Sequence, residues 1–129
     1  MSVSILVVDD EPDVAELFRQ CFRREARQGT YVLHFAYSGE EALDKLAAGI
    51  EPQLRVILSD INMPVMDGLE LLREIKTRRP DLPVMMVTAY GDNERRCLAG
   101  EYGAAEFITK PVDFDFLKAQ LRQLPNAAD

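Results

Sequence analysis

The residues in this chain best suited to chemistry are acids that follow apolar runs, with one lysine and one threonine in matching places. "SILVVDDEP" (4–12) ends an apolar run in Asp9 and Asp10. "VILSDINMPVMDG" (56–68) ends another in Asp60, "VMMVT" (84–88) ends in Thr88, and "FITKP" (107–111) ends in Lys110 and Pro111. Converging carboxylates repel one another, so they either take up protons more readily or recruit a cation. With no His or Cys in these stretches, an all-oxygen donor set suits Mg²⁺, which binds through a few carboxylates and keeps several waters. An ammonium and a hydroxyl opposite suit phosphoryl oxygens, the lysine acting as a point charge. A carboxylate is itself a nucleophile toward phosphorus and yields an acyl phosphate. Metal and lysine together neutralise the charge on a transferring phosphoryl group.

Each residue alone has a plainer reading. Asp9 or Asp10 suits the N-terminus of a helix opening at Pro12. Thr88 reads equally as a cap or a strand residue, and Lys110-Pro111 as a surface loop. Asp60 is balanced between a polar strand stop and a reactive group. Asp67-Gly68 is a turn signal and reads as structural. The case for a site lies in the joint pattern, which puts these groups at four of five strand ends.

Those strand ends belong to five short apolar runs: "VSILVV" (3–8), "YVLHFA" (31–36), "LRVILS" (54–59), "LPVMMVT" (82–88) and "EFIT" (106–109). Several are continuously apolar, as expected of strands covered on both faces. Helical periodicity fills the gaps. Val14, Leu17, Phe18, Cys21 and Phe22 form one face of a first helix stopped by Gly29. "SGEEALDKLAAG" (38–49) opens on Ser38 and Glu41 in capping-box spacing. "GLELLREIKTRRP" (68–80) carries Leu69, Leu72 and Ile75, and Pro80 closes it. "GDNERRCLAGEYG" (91–103) is the weakest helix, and "DFDFLKAQLRQL" (113–124) starts at an Asp113 cap. Alternating strands and helices predict an α/β fold, a (βα)5 doubly wound parallel sheet of flavodoxin-like order 2-1-3-4-5. In that order the switch point lies between strands one and three, where ligands bind and the three aspartates would meet. The second strand, an edge, is the one whose end carries no such residue. Residues 1–124 read as one domain and 125–129 as a tail or the start of a linker.

Composition narrows the partners. The chain has 129 residues, 47% hydrophobic and 29% charged, with a net charge of −7. That balance is globular and disfavours direct contact with nucleic acid or an anionic membrane. No run is long enough to span a bilayer and the start is unlike a signal peptide, so a soluble cytoplasmic protein is expected. Cys21 and Cys97 read as buried or half-buried free thiols on helices. His34, on the second strand, reads as a packed or edge side chain rather than a phosphate relay. Met63, Met66, Met85 and Met86 read as turn packing and core filler.

The segments "LVVDDEP", "SDINMPVMDGLELL", "VTAYGD" and "ITKP", in this order and over about residues 3–124, resemble the response-regulator receiver domains of two-component signalling. The resemblance implies a phosphoacceptor at Asp60. It implies Mg²⁺ held by Asp9, Asp10, Asp60 and the backbone carbonyl of Asn62, with Asp10 a direct ligand. Thr88 would hydrogen-bond the phosphoryl group and Lys110 would pair with it, beside a cis Lys110-Pro111 bond. Phe107 stands where many members carry a switching tyrosine, so its rotamer change would lack a hydroxyl anchor. Tyr90 would lie close to the path of attacking water, and its bulk is expected to slow self-dephosphorylation. The implied partners are a sensor histidine kinase or phosphotransfer protein, and an output domain or partner protein docking on the fourth helix, fifth strand and fifth helix.

Other classes fit less well. A haloacid-dehalogenase-type phosphatase needs a second acid two residues after the nucleophile, where Asn62 stands. A flavodoxin-like FMN carrier needs a Ser/Thr/Gly-rich phosphate loop, and Asp9-Asp10-Glu11 would repel the phosphate. A receiver-like module that binds partners without phosphorylation is the remaining alternative. A metabolic enzyme is not expected.

Overall fold

The computed structural model describes residues 2–88 and 92–124. Its five strands are β1 (Val3–Val8), β2 (Tyr31–Ala36), β3 (Leu54–Asp60), β4 (Val84–Thr88) and β5 (Glu106–Thr109). All neighbours pair in parallel, in the order β2-β1-β3-β4-β5. The helices are α1 (Pro12–Cys21), α2 (Arg23–Arg27), α3 (Gly39–Ala48), α4 (Gly68–Arg78), α5 (Asn93–Glu101) and α6 (Phe114–Gln123).

The continuous apolar runs are explained by two cores. Alternate residues of a strand face opposite sides of the sheet. Leu6, Val8, Ile57 and Met86 join one cluster with Ala42 and Leu43 of α3, Leu71, Leu72 and Ile75 of α4, and Ala99 of α5. Ile5, Val7, Leu58 and Met85 join the other, with Phe18 and Phe22 near the first helices and Leu117 and Leu121 of α6. Leu71, absent from the expected α4 face, is fully buried there.

The single first helix expected up to Gly29 is instead two. Phe22 departs from helical geometry (φ −103°, ψ 12°) and divides α1 from α2. Its ring is fully buried between Phe18, Tyr31 and Phe114. The Lys118 ammonium of α6 donates to the Cys21 carbonyl at 2.7 Å and pairs with Glu25 at 3.0 Å. A local helical pattern does not encode this partner, 97 residues away in sequence.

Other helix ends follow their side chains. Ser38 accepts from the Glu41 N–H, and the Glu41 carboxylate reaches back to the Tyr37 N–H. Asp113 accepts from the Asp115 and Phe116 N–H groups. Asp67 accepts from Glu70 at 2.9 Å and so caps α4. Gly49 ends α3 at φ +95°, a conformation open to glycine without steric cost. Among the described residues, helix α5 has no side-chain cap and buries only Ala99, in keeping with its weak pattern.

Cys97 is exposed rather than buried or half-buried, because it falls on the solvent side of α5; Cys21 is half-buried. His34 packs on the edge strand through Ser4 Oγ at 3.0 Å. Among the described residues no helix is long and apolar enough to cross a membrane.

Candidate functional site

Strand register builds the site. Val8 lies beside Ser59, so the next residues, Asp9 and Asp60, emerge together where the order of the sheet reverses. One carboxylate oxygen from each of Asp9, Asp10 and Asp60 lies within 4.8 Å of the others. Asp9 and Asp60 are buried, and Asp10 is the most exposed of the three. The capping role open to Asp9 or Asp10 is not the one observed. Glu11 is the N-cap of α1 and makes no side-chain cap bond, with Pro12 following in the first turn. Asp9 does accept from the Glu11 N–H at 3.0 Å, which holds its carboxylate in place before the helix starts.

The two oxygens of Asp60 are held differently. Oδ1 accepts from the Asn62 N–H at 3.3 Å, and Oδ2 from the Lys110 ammonium at 3.2 Å. The same ammonium stands 3.7 Å from Asp9 Oδ2. Lys110 reaches them from the loop after β5, where its N–H donates to the Thr88 carbonyl at 2.8 Å and the Lys110-Pro111 bond is cis. Thr88 is buried at the end of β4, one residue beyond Val87, the register partner of Asp60.

Electrostatics follow from crowding acids under a low-dielectric sheet edge. Burial raises the Asp9 pKa above the ordinary carboxylate value; the Glu11 N–H opposes this, and repulsion from Asp60 adds to it. For Lys110, burial alone would favour the neutral amine, but Asp60 and Asp9 outweigh it and the pKa rises. Lys110 is thus held as a cation, against more acids than it can neutralise.

Two contacts at the site were not read from sequence. Gly68, taken as half of a turn signal, donates its N–H to the Ile61 carbonyl at 2.7 Å. A Cβ at Gly68 would lie 2.3 Å from the Asp60 carbonyl oxygen and 2.6 Å from Ile61 Cα. The "DG" dipeptide signals a turn but not this close approach. Arg95 of α5 donates to the side-chain oxygen of Asn62, a contact no local pattern announces. Phe107 is half-buried on β5, packed against the cluster that holds Met86 and Ala99. The Arg96 guanidinium lies over its ring, 5.0 Å from the centroid. Tyr90 lies outside the described residues, as does the tail 125–129.

With this geometry in place, comparison with known proteins is direct. The family model described as "Response regulator receiver domain" matches residues 5–122. The chain belongs to that family. As a receiver domain it is 36% identical over 124 residues to the response regulator MprA of Mycobacterium tuberculosis, covering 96% of this chain and 51% of that protein. It is 34% identical over 122 residues to the transcriptional regulatory protein ZraR of Escherichia coli, covering 95% of this chain and 26% of that one. The chain therefore spans about half or a quarter of the length of these curated relatives. Among solved structures, the response regulator TrrA of Thermotoga maritima in complex with Mg(2+)-BeF matches with a TM-score of 0.79 and 35% identity. That match covers 95% of this chain and 98% of that one. These matches agree with the order 2-1-3-4-5 and with the clustered acids of this receiver domain.

Proposed function

We propose that this receiver domain takes a phosphoryl group onto Asp60 from a phosphohistidine on a sensor kinase or phosphotransfer protein. The observation that carries this reading is the Asp60 carboxylate, buried at the switch point with Lys110 at 3.2 Å and two further carboxylates close by. An Asp60 oxygen attacks phosphorus; the P–O bond forms as the donor P–N bond breaks, and the imidazole leaves with that electron pair. Lys110 then pairs with the phosphoryl oxygens instead of the carboxylate, and Thr88 donates its hydroxyl to them.

The donor set fits Mg²⁺. Three carboxylates with one lysine leave uncompensated negative charge, and hard oxygen ligands without His or Cys match that ion. Asp9, Asp10, Asp60 and the Asn62 carbonyl would hold it. When bound, Mg²⁺ supplies charge neutralisation for the incoming phosphoryl group. The complex of the TrrA relative with Mg(2+)-BeF supports the same reading.

Phosphorylation then biases the face formed by α5, β5 and α6, with Phe107 as the side chain that changes rotamer and an output domain or partner protein as the reader. Residues 1–124 act as the domain, with 125–129 a C-terminal tail or the start of a linker. Tyr90 slows hydrolysis of the acyl phosphate.

The test is incubation with acetyl phosphate and Mg²⁺ followed by intact mass. One added phosphoryl group is expected in the wild type and none in Asp60→Asn. Absence of the adduct at donor concentrations that label other receivers would leave phosphorylation-independent binding as the reading.

A further inference from the structure

Adjacent arginines on α5 reach in two directions. Arg95 donates to the Asn62 side chain, two residues beyond Asp60. Arg96 lies over the Phe107 ring at 5.0 Å. Between these contacts α5 is lightly anchored: among the described residues it buries only Ala99 and shows no side-chain cap. A helix with so little apolar anchorage takes its position in large part from its polar contacts.

Asn62 is itself tied to the reactive group, because its N–H donates to Asp60 Oδ1 at 3.3 Å. Phe107 also meets α5 one turn beyond Arg96 on the same face, since a Cβ at Gly100 would lie 3.8 Å from the ring tip. Any shift of Asn62 that follows a change at Asp60 is therefore passed to Arg95, then through the helical backbone the two arginines share to Arg96, then to the ring. We infer that Arg95 is a positioning residue of this receiver domain, joining the Asp60 loop to α5, and that the Arg95–Arg96 pair couples Asp60 to Phe107 independently of Thr88. The inference rests on the phosphoacceptor role of Asp60 proposed above. It follows by reciprocity that fixing Phe107 alters affinity at the site.

Chemical-shift mapping by NMR on the whole chain, titrated to saturation with Mg²⁺ and beryllofluoride, tests this. Wild type is expected to shift the Asn62 and Phe107 amides together. Arg95→Ala is expected to keep the Asn62 shift while the ligand-induced change in the Phe107 equilibrium constant falls by about two- to tenfold, the range one hydrogen bond carries. Arg95→Lys restores part of the response. Asn62→Ala reproduces the Arg95→Ala loss at Phe107, and the double variant adds nothing further. Arg96→Ala releases Phe107 and leaves the Asn62 shift intact. A wild-type Phe107 response in Arg95→Ala overturns the coupling alone. No shift at Asn62 in the wild type overturns the phosphoacceptor reading and the coupling with it.

Discussion

Replacing Gly68 with alanine tests how tightly the loop after β3 is built around Asp60. The new Cβ would start 2.3 Å from the Asp60 carbonyl oxygen, 2.6 Å from Ile61 Cα and 3.0 Å from the Asp60 carbonyl carbon. All three are main-chain atoms, so no side-chain rotation relieves the contact. Ordinary carbon contacts lie near 3.5 Å, so the two backbones must separate by roughly 1 Å. Overpacking of this kind costs about 1–3 kcal/mol, and main-chain displacement puts it toward the upper end, near 3. Alanine regains up to about 1 kcal/mol of helix propensity at the start of α4. The net expectation is a loss of about 2 kcal/mol, roughly a thirtyfold change in the folded-to-unfolded ratio. In melting temperature this corresponds to a fall of roughly 6–12 °C. The same movement carries Asp60 away from Lys110 and the Asn62 N–H, so phosphoryl labelling should slow as well. Asp67→Ala is the control. It removes the cap bond to Glu70 at a cost of about 1 kcal/mol without pushing on Asp60. Urea denaturation and the rate of acetyl phosphate labelling are measured on both variants. Gly68→Ala within error of wild type in both would refute the argument.

Two further expectations concern charge. Asp9 has a raised pKa in the folded protein, so folding favours its protonated form and stability from this group is lost as pH rises from about 3.8 through the folded value. In metal-free buffer at neutral pH, Asp9→Asn should therefore raise the denaturation midpoint; a lower midpoint would contradict the electrostatic account of the site. His34 has a lowered pKa through burial, with Lys45 adding to it, so the unfolded chain takes up the proton first as pH falls below about 6.5. Stability should decline over that range down to the folded pKa, and His34→Gln should flatten the decline in pH-dependent melting curves.

The sequence by itself determined the positions of the five strands and most of the residues gathered at the candidate site. Strand positions were legible because stretches such as Ile5–Val8 and Val84–Val87 are short and continuously apolar, the pattern of a strand covered on two faces. Asp60, Asp9, Asp10, Thr88 and Lys110 were legible because a parallel sheet brings the carboxyl ends of its strands to one edge, whatever the details of packing. Ser38 and Asp113 were legible as caps because a cap is a local contact.

Only the tertiary structure decided matters set by residues far apart in the chain. The break at Phe22 depends on Lys118 and on a ring wedged between Tyr31 and Phe114. The demand for glycine at 68 comes from the backbone of Asp60 passing within a Cβ radius, which no turn propensity measures. Arg95 looked like one more charge on a weak helix until folding set it against Asn62, 33 residues back. Periodicity reports which face of an element is apolar. It carries no information about which distant side chain meets that face, because that choice is made by the packing of the whole sheet and its helices.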